Sequence, residues 1–506
     1  MNHTKTLLSR LILFLSLIIP AKHVMAQDRC DCSSELTWVK NTFEKNDAGF
    51  GYILNEKGQK AYEEHTALLM HQAKDIRTKN DCKNLIYNWL RFFRKGHIGV
   101  IVLNEEKQSA PILKLDSNKI RNHETLGLDE RRFQNQIANE SEPSPIGVWE
   151  SSPYKVGIVP TDSGYSGVLL DAPGTPWKKD QIKFKLYPDG DSFRATLWFR
   201  DFSVKENVPV HFIGNNIIHI EGMSFFVRKS RRFEDKPLVK NYINYLYTHS
   251  PYYEQLSDRT GYLRIPSFAM SNKTAIDSVL RTNHQNITSA HNLIIDLRNN
   301  GGGSDWAYSS LIPYIYTNPI RTVGVELLST ELNNMAVLEL SQDTLYGENQ
   351  RAEFKETYER LSADLGNFVR VKEANVTVDS MDSILANPLR VAILVNEYCA
   401  STTEQFLLEA KQSSKVKLYG SSTFGALDFS NMTSAISPSG EFQLWYCRSK
   451  SLRIPGMEID GSGIQPDYYL DPSISQKDWV GFVLDTIEQD SVRDHSKTRG
   501  EGNTNL

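Results

Sequence analysis

VAILVNEYCASTTEQFLLEAKQSSKVKLYGSSTFG, from Val391 to Gly425, is the stretch on which the fold of this chain turns. Val391 to Val395 are apolar without alternation, the pattern of a strand buried on both faces. Small and polar residues follow at Cys399, Ala400, Ser401 and Thr402, and then Phe406, Leu407 and Ala410 recur at helical spacing. A hydroxyl where a buried strand turns into a helix sits at the helix N-terminus, where backbone N–H groups point at whatever it attacks. Serine nucleophiles are often mounted this way. The same residues also read as an ordinary helix start, with Ser401 as N-cap and Thr402 and Glu404 in the first turn.

Upstream, Asn292 to Leu297 is a second buried run, followed by Asp296-Leu297-Arg298-Asn299-Asn300-Gly301-Gly302-Gly303. Three glycines after a strand make a tight turn or expose backbone N–H groups to a ligand. No GK[ST] follows and the spacing fits no dinucleotide fingerprint, so a donor for a developing oxyanion is the sharper functional reading. With a strand at Gly261 to Ile265 and helices at 239–247, 275–281 and 305–314, residues 233–475 read as α/β. Leu418-Tyr419 and Phe442 to Cys447 read as further strands, and a charged helical insert covers 349–368. Residues 476–506 read as a helix followed by a polar tail. Residues 145–232 differ: seven short alternating runs, from GVWESS to NIIHIEG, predict an inserted antiparallel barrel or sandwich. Residues 27–104 read as helical, ending at Lys95-Gly96-His97-Ile98-Gly99 and a short strand, and residues 105–144 read as a charged linker.

Residues 1–26 have the form of a signal peptide: Lys5 and Arg10, an apolar core Leu11 to Ile19, and Val24-Met25-Ala26 as cleavage site. The expected product is exported, periplasmic or extracellular, with no span left after cleavage. Without residues 1–26 the balance is 54 basic against 61 acidic residues. A mildly acidic chain with no basic block is a poor nucleic-acid binder. In an exporting compartment Cys30 or Cys32 can pair with Cys82. Cys399 and Cys447 lack zinc-ligand spacing, and no cofactor or metal is expected.

A serine nucleophile needs a base. Of twelve histidines, His97 stands out by following a glycine at a helix-to-strand turn.

These elements together resemble the serine peptidase family that includes the C-terminal processing (tail-specific) proteases and the tricorn core protease. LIIDLRNNGGG looks like its strand-plus-glycine signature, VAILVNEYCASTTEQF like its nucleophile motif with Ser401 at the serine, and Gly463-Ile464-Gln465-Pro466-Asp467 like its G-V-x-P-D motif. The resemblance covers roughly 235–475 plus the helices carrying GHIG. It implies a crotonase/ClpP-like ββα core. The tail-specific branch places its basic lysine where this chain has Ala426, which cannot take a proton. The tricorn-like branch uses a histidine from a D-G-H-like motif, which Lys95-Gly96-His97 fits. That branch adds an acid just before G-V-x-P-D, here Asp460 by spacing or Glu458, and a second serine beside the histidine, where this chain has Gly96. The resemblance implies peptide-bond cleavage with Ser401 as nucleophile, His97 as base, and an oxyanion hole from Thr402 and Gly302 or Gly303. The family's PDZ-like module is not visible. A non-catalytic binding protein for peptides or apolar ligands, and an esterase or amidase, are the rival readings.

Overall fold

The apolar runs at the two motifs form adjacent parallel strands, Asn292–Asp296 and Arg390–Val395, with Asp296 opposite Leu394. The computed structural model describes residues 30–103, 120–190, 192–223, 225–471 and 473–500. The expected signal segment lies outside them, as do residues 105–119 of the linker and 501–506 of the tail. The six-stranded sheet runs Tyr252–Gln255, Thr260–Arg264, Asn292–Asp296, Arg390–Val395, Val416–Gly420, Tyr468–Tyr469 in spatial order, all parallel after the first. Its two faces explain why the strands lack alternation. Leu293, Ile295, Val391, Ile393 and Val395 pack with Ile276, Leu280, Phe406 and Leu407. Ile294, Ala392 and Leu394 pack on the other side with Trp479, Val480 and Val483. Helices therefore cover both faces, and burying each such aliphatic side chain contributes roughly 1.5–3 kcal/mol.

The described residues divide into two compact units: those of 30–94 with 98–103 and 434–446, and those of 95–97 with 120–433 and 447–500. In the first, helices Cys32–Asn46, Phe50–Lys57, Gln59–Ala73 and Lys79–Leu90 bury Phe43, Tyr62, Trp89 and Phe93 against one another. A disulfide joins Cys32 to Cys82, which leaves Cys30 as a buried free thiol. The short strand Gly99–Val102 pairs antiparallel with residues 442–445.

In the second unit, residues 147–228 form a closed antiparallel barrel. The seven expected runs are strands, and an eighth, Phe226–Arg228, closes the barrel by pairing with Trp149 and Glu150. Elsewhere the sequence reading was too simple. The helix expected over 305–314 is Asp305–Tyr308, a 3-10 turn and Ile312–Ile315, with Pro313 in the last piece lacking the N–H a continuous helix would use. The charged helical insert expected over 349–368 is the helix Glu348–Ala363, and a further helix, Glu331–Leu340, precedes it. The C-terminal helix is Trp479–Gly500, so residues 489–500 continue it. No helix among the described residues is long and apolar enough to cross a membrane.

Candidate active site

Parallel pairing of the two motif strands brings their C-terminal turns side by side, at the edge where open α/β sheets bind ligands. Ser401 begins the helix Thr402–Ala410 with φ +58° and ψ −125°. A non-glycine residue there carries strain of about 1–3 kcal/mol, which the surroundings must hold. Ser401 N–H donates to Ala426 O at 3.0 Å and to Glu404 Oε2 at 3.2 Å. Ser401 and Glu404 stand in capping-box register, yet the Ser401 side chain makes no cap hydrogen bond. The hydroxyl is therefore not spent on ending the helix.

Glu404 does more than sequence reasoning gave it. It is fully buried, accepts from Gly425 N at 2.7 Å and Ala426 N at 2.9 Å, and also bonds the Thr423 hydroxyl. One carboxylate thus ties the helix start to the loop after the next strand, an arrangement that charge-assisted bonds strengthen.

The glycine turn lies directly against Ser401. A Cβ on Gly302 (φ +99°) would come within 2.9 Å of both Ser401 Cβ and Thr402 N, and one on Gly303 (φ +149°) would meet Phe268 C and O at 2.2 Å. Both positions require glycine. The Gly302 N–H is directed to Asn300 Oδ1 at 3.0 Å. Neither the Gly303 N–H nor the Thr402 N–H meets a protein acceptor among the described residues. Buried Asn300 also bonds Ile265 O at 3.1 Å, and its own carbonyl accepts from Ala400 N and the Thr403 hydroxyl. Below the turn, Arg298 Nη2 pairs with Asp296 Oδ2 at 2.6 Å, both fully buried. Burial works against the Asp296 charge, but Arg298 and Arg264 outweigh it and hold the carboxyl below its usual range. Cys399 is not a rival nucleophile, since burial pushes its thiol up to about 12.

His97 also has positive φ, +54°. Its Nδ1 lies 2.6 Å from the Phe429 carbonyl oxygen. A carbonyl only accepts, so Nδ1 carries a proton, and in the neutral ring the lone pair is then on Nε2. The turn is seated on Ala426: a Cβ on Gly96 would approach Ala426 Cβ and Phe424 Cε1 to 2.7 Å each. No side chain fits at residue 96, which accounts for glycine where the resemblance implies a second serine. Residues 426–429 thus hold the Ser401 N–H through one carbonyl and the His97 ring through another.

Asp460 Oδ1 accepts from Leu427 N at 2.6 Å and Asp428 N at 2.7 Å. Asp428, fully buried, returns the favour to Ile459 N and Asp460 N and pairs with Arg453 Nε at 3.0 Å. Glu458 is exposed and accepts from Gly456 N. The G-I-Q-P-D segment docks on the loop through Ile464 N–H donating to Thr423 Oγ1 at 2.7 Å, and on the preceding strand through Leu418 N–H donating to Asp467 Oδ2 at 2.8 Å. Asn300, Asp428 and the Phe429 carbonyl were not singled out from sequence. Asn300 alone left a trace there, inside the glycine motif. Among the described residues no group of His, Cys, Asp or Glu is placed to hold a metal ion.

A parallel α/β sheet with a strained serine and a glycine turn at its C-terminal edge defines the class of fold and site. Residues 259–470 match the model of Peptidase family S41. The "Probable CtpA-like serine protease" of Staphylococcus haemolyticus (strain JCSC1435) is 34% identical over 117 residues, 22% of this chain and 21% of that protein. Its namesake in Staphylococcus aureus (strain N315) is 35% identical over 105 residues, 20% of each. The matches thus span about a fifth of these relatives' length. Among solved structures, mature CPAF complexed with lactacystin aligns over 92% of this chain and 98% of its own, at 12% identity and TM-score 0.48. The tricorn protease aligns over 91% of this chain and 37% of its own, at 12% identity and TM-score 0.40.

Proposed function

We propose that this chain is an exported serine peptidase that cleaves peptide or protein substrates through an acyl-enzyme, on a crotonase/ClpP-like ββα core. The observation that carries the reading is Ser401, held at positive φ against Gly302 with its hydroxyl unused as a cap. His97 Nε2 takes the Ser401 Oγ proton as the oxygen attacks the peptide carbonyl carbon. The carbonyl π electrons move to oxygen, and Thr402 and Gly303 N–H groups receive that oxyanion; Gly302 contributes only if its N–H leaves Asn300. Losing one such donor costs about 3 kcal/mol of transition-state stabilisation. Collapse expels the amine, which takes the proton from His97, and water repeats the sequence to release the acid. Of the two acidic candidates, Asp460 bonds the segment that carries the Phe429 carbonyl, whereas Glu458 bonds Gly456. The Cys32–Cys82 disulfide accords with export.

A fluorophosphonate probe tests this. Wild type becomes labelled at Ser401 and cleaves peptides; Ser401→Ala takes no label, and His97→Ala loses roughly 10⁴-fold in rate. Folded wild type that neither labels nor cleaves any peptide of a random library ends the proposal. Labelling with hydrolysis of esters alone replaces it with the esterase reading.

A further inference from the structure

The first unit contains a pocket of about 420 Å³ lined by Cys30, Asp31, Glu35, Trp38, Pro438 and Glu441 among others. That volume suits a single side chain or small ligand. Its charges are not balanced. The Asp31 carboxylate caps the first helix, accepting from Ser34 N at 3.2 Å and Ser34 Oγ at 2.7 Å. Glu441 is paired with Lys79 at 2.9 Å. Glu35 is only 7% exposed, and its Oε2 is buried without a hydrogen-bond partner. A buried carboxylate oxygen with no donor is costly, and native structures rarely leave one so.

The geometry points to a binding site here for one organic cation, the ammonium or guanidinium of a lysine or arginine side chain on a peptide. One positive charge answers one unpaired carboxylate. The residues here do not form a metal site, since no group of metal-binding side chains among the described residues is so placed. Trp38 and Pro438 give the methylene stem an apolar wall, as long basic side chains require. The Cys30 thiol is pushed up to about 11, by burial first and then by Glu441 and Glu35, with Lys79 acting against them. The raised thiol is also a poor nucleophile, which argues against a redox role.

The test uses the full chain and calorimetric titration with N-acetyl-arginine methylamide, against its neutral isostere N-acetyl-citrulline methylamide. The arginine compound binds saturably and the citrulline compound does not. Glu35→Gln, confirmed folded by its melting temperature, weakens binding by about tenfold or more. A second readout is alkylation of Cys30, followed by mass spectrometry, which the arginine compound slows in wild type. Equal binding of the two compounds, or equal binding by wild type and Glu35→Gln, overturns the proposal. Should Glu35→Gln fail to fold, unprotected Cys30 in wild type overturns it equally. None of these readouts involves Ser401, so their failure leaves the peptidase reading standing.

Discussion

Ala426 stands where the resemblance places a basic lysine, and its single methyl group decides what can pack there. A lysine there would have to leave from the Cβ that Gly96 closely approaches, whereas alanine lets the Gly96-His97 turn seat against it. Gly96 and Ala426 are a matched pair of small residues. Gly96→Ala places a methyl 2.7 Å from both Ala426 Cβ and Phe424 Cε1, so the turn must move. Overpacking of this kind costs about 1–3 kcal/mol of stability. The rate should fall by about 10²-fold, because a displacement near 1 Å at a reacting group is enough for that. Peptide-hydrolysis kinetics check this: kcat falls with KM little changed, and adding Ala426→Gly recovers part of the loss. Ser401, His97 and the glycines stood out as candidates in the sequence because what marks them is in their side chains, or in glycine's lack of one. The Phe429 carbonyl was not, since every residue has one and only folding brings this one to His97.

At the scale of elements, the site depends on a clasp between two loops. Asp428 receives N–H groups of Ile459 and Asp460, while Asp460 receives those of Leu427 and Asp428. The clasp fixes residues 426–429, whose carbonyls hold Ser401 and His97. Asp428→Asn presents an amide to donors and leaves the buried Arg453 unpaired. Breaking one half of a buried ion pair costs about 3–5 kcal/mol. Activity should drop at temperatures where the variant is still folded. If Asp428 acts through His97, its effect is strongly non-additive with His97→Ala; additive losses would mean a purely structural role. The spacing from the G-I-Q-P-D motif singled out Asp460, but its backbone partners are set by a crossing of segments about thirty residues apart.

At the scale of the whole molecule, the barrel carries a buried charge problem of its own. Lys183 is the extra residue of a bulge, between the pairs Gly167–Phe184 and Val168–Ile182. It is fully buried, its Nζ has no hydrogen-bond partner, and it lies 4.1 Å from the ring centres of both Tyr154 and Trp177. Burial lowers its pKa to about 7, from 10.5. Between those values the unfolded chain binds more protons than the folded one, so stability rises with pH from about 7 to about 10.5. Lys183→Met removes this dependence. It should stabilise the barrel at pH 7 by on the order of 2–4 kcal/mol, and by little above pH 10.5, the rings' attraction for the cation offsetting part of the gain. Denaturant unfolding at the two pH values checks it; a variant no more stable at pH 7 would be the contrary result.

The sequence by itself determined the parallel sheet, because unbroken apolar runs at 293–295 and 391–395 are stable only when covered on both faces. It also determined seven of the barrel's eight strands through their alternation, and it singled out Ser401, His97 and the glycine turn as candidates. Closure of the barrel by the three-residue strand Phe226–Arg228 was decided in three dimensions, since so short a run carries no period of its own. So were the choice of Cys32 over Cys30 for the disulfide, the tautomer of His97 and the use of Gly302's N–H by Asn300. These depend on which backbone groups meet across long separations in the chain. Local sequence cannot encode that, because backbone donors and acceptors are the same at nearly every residue.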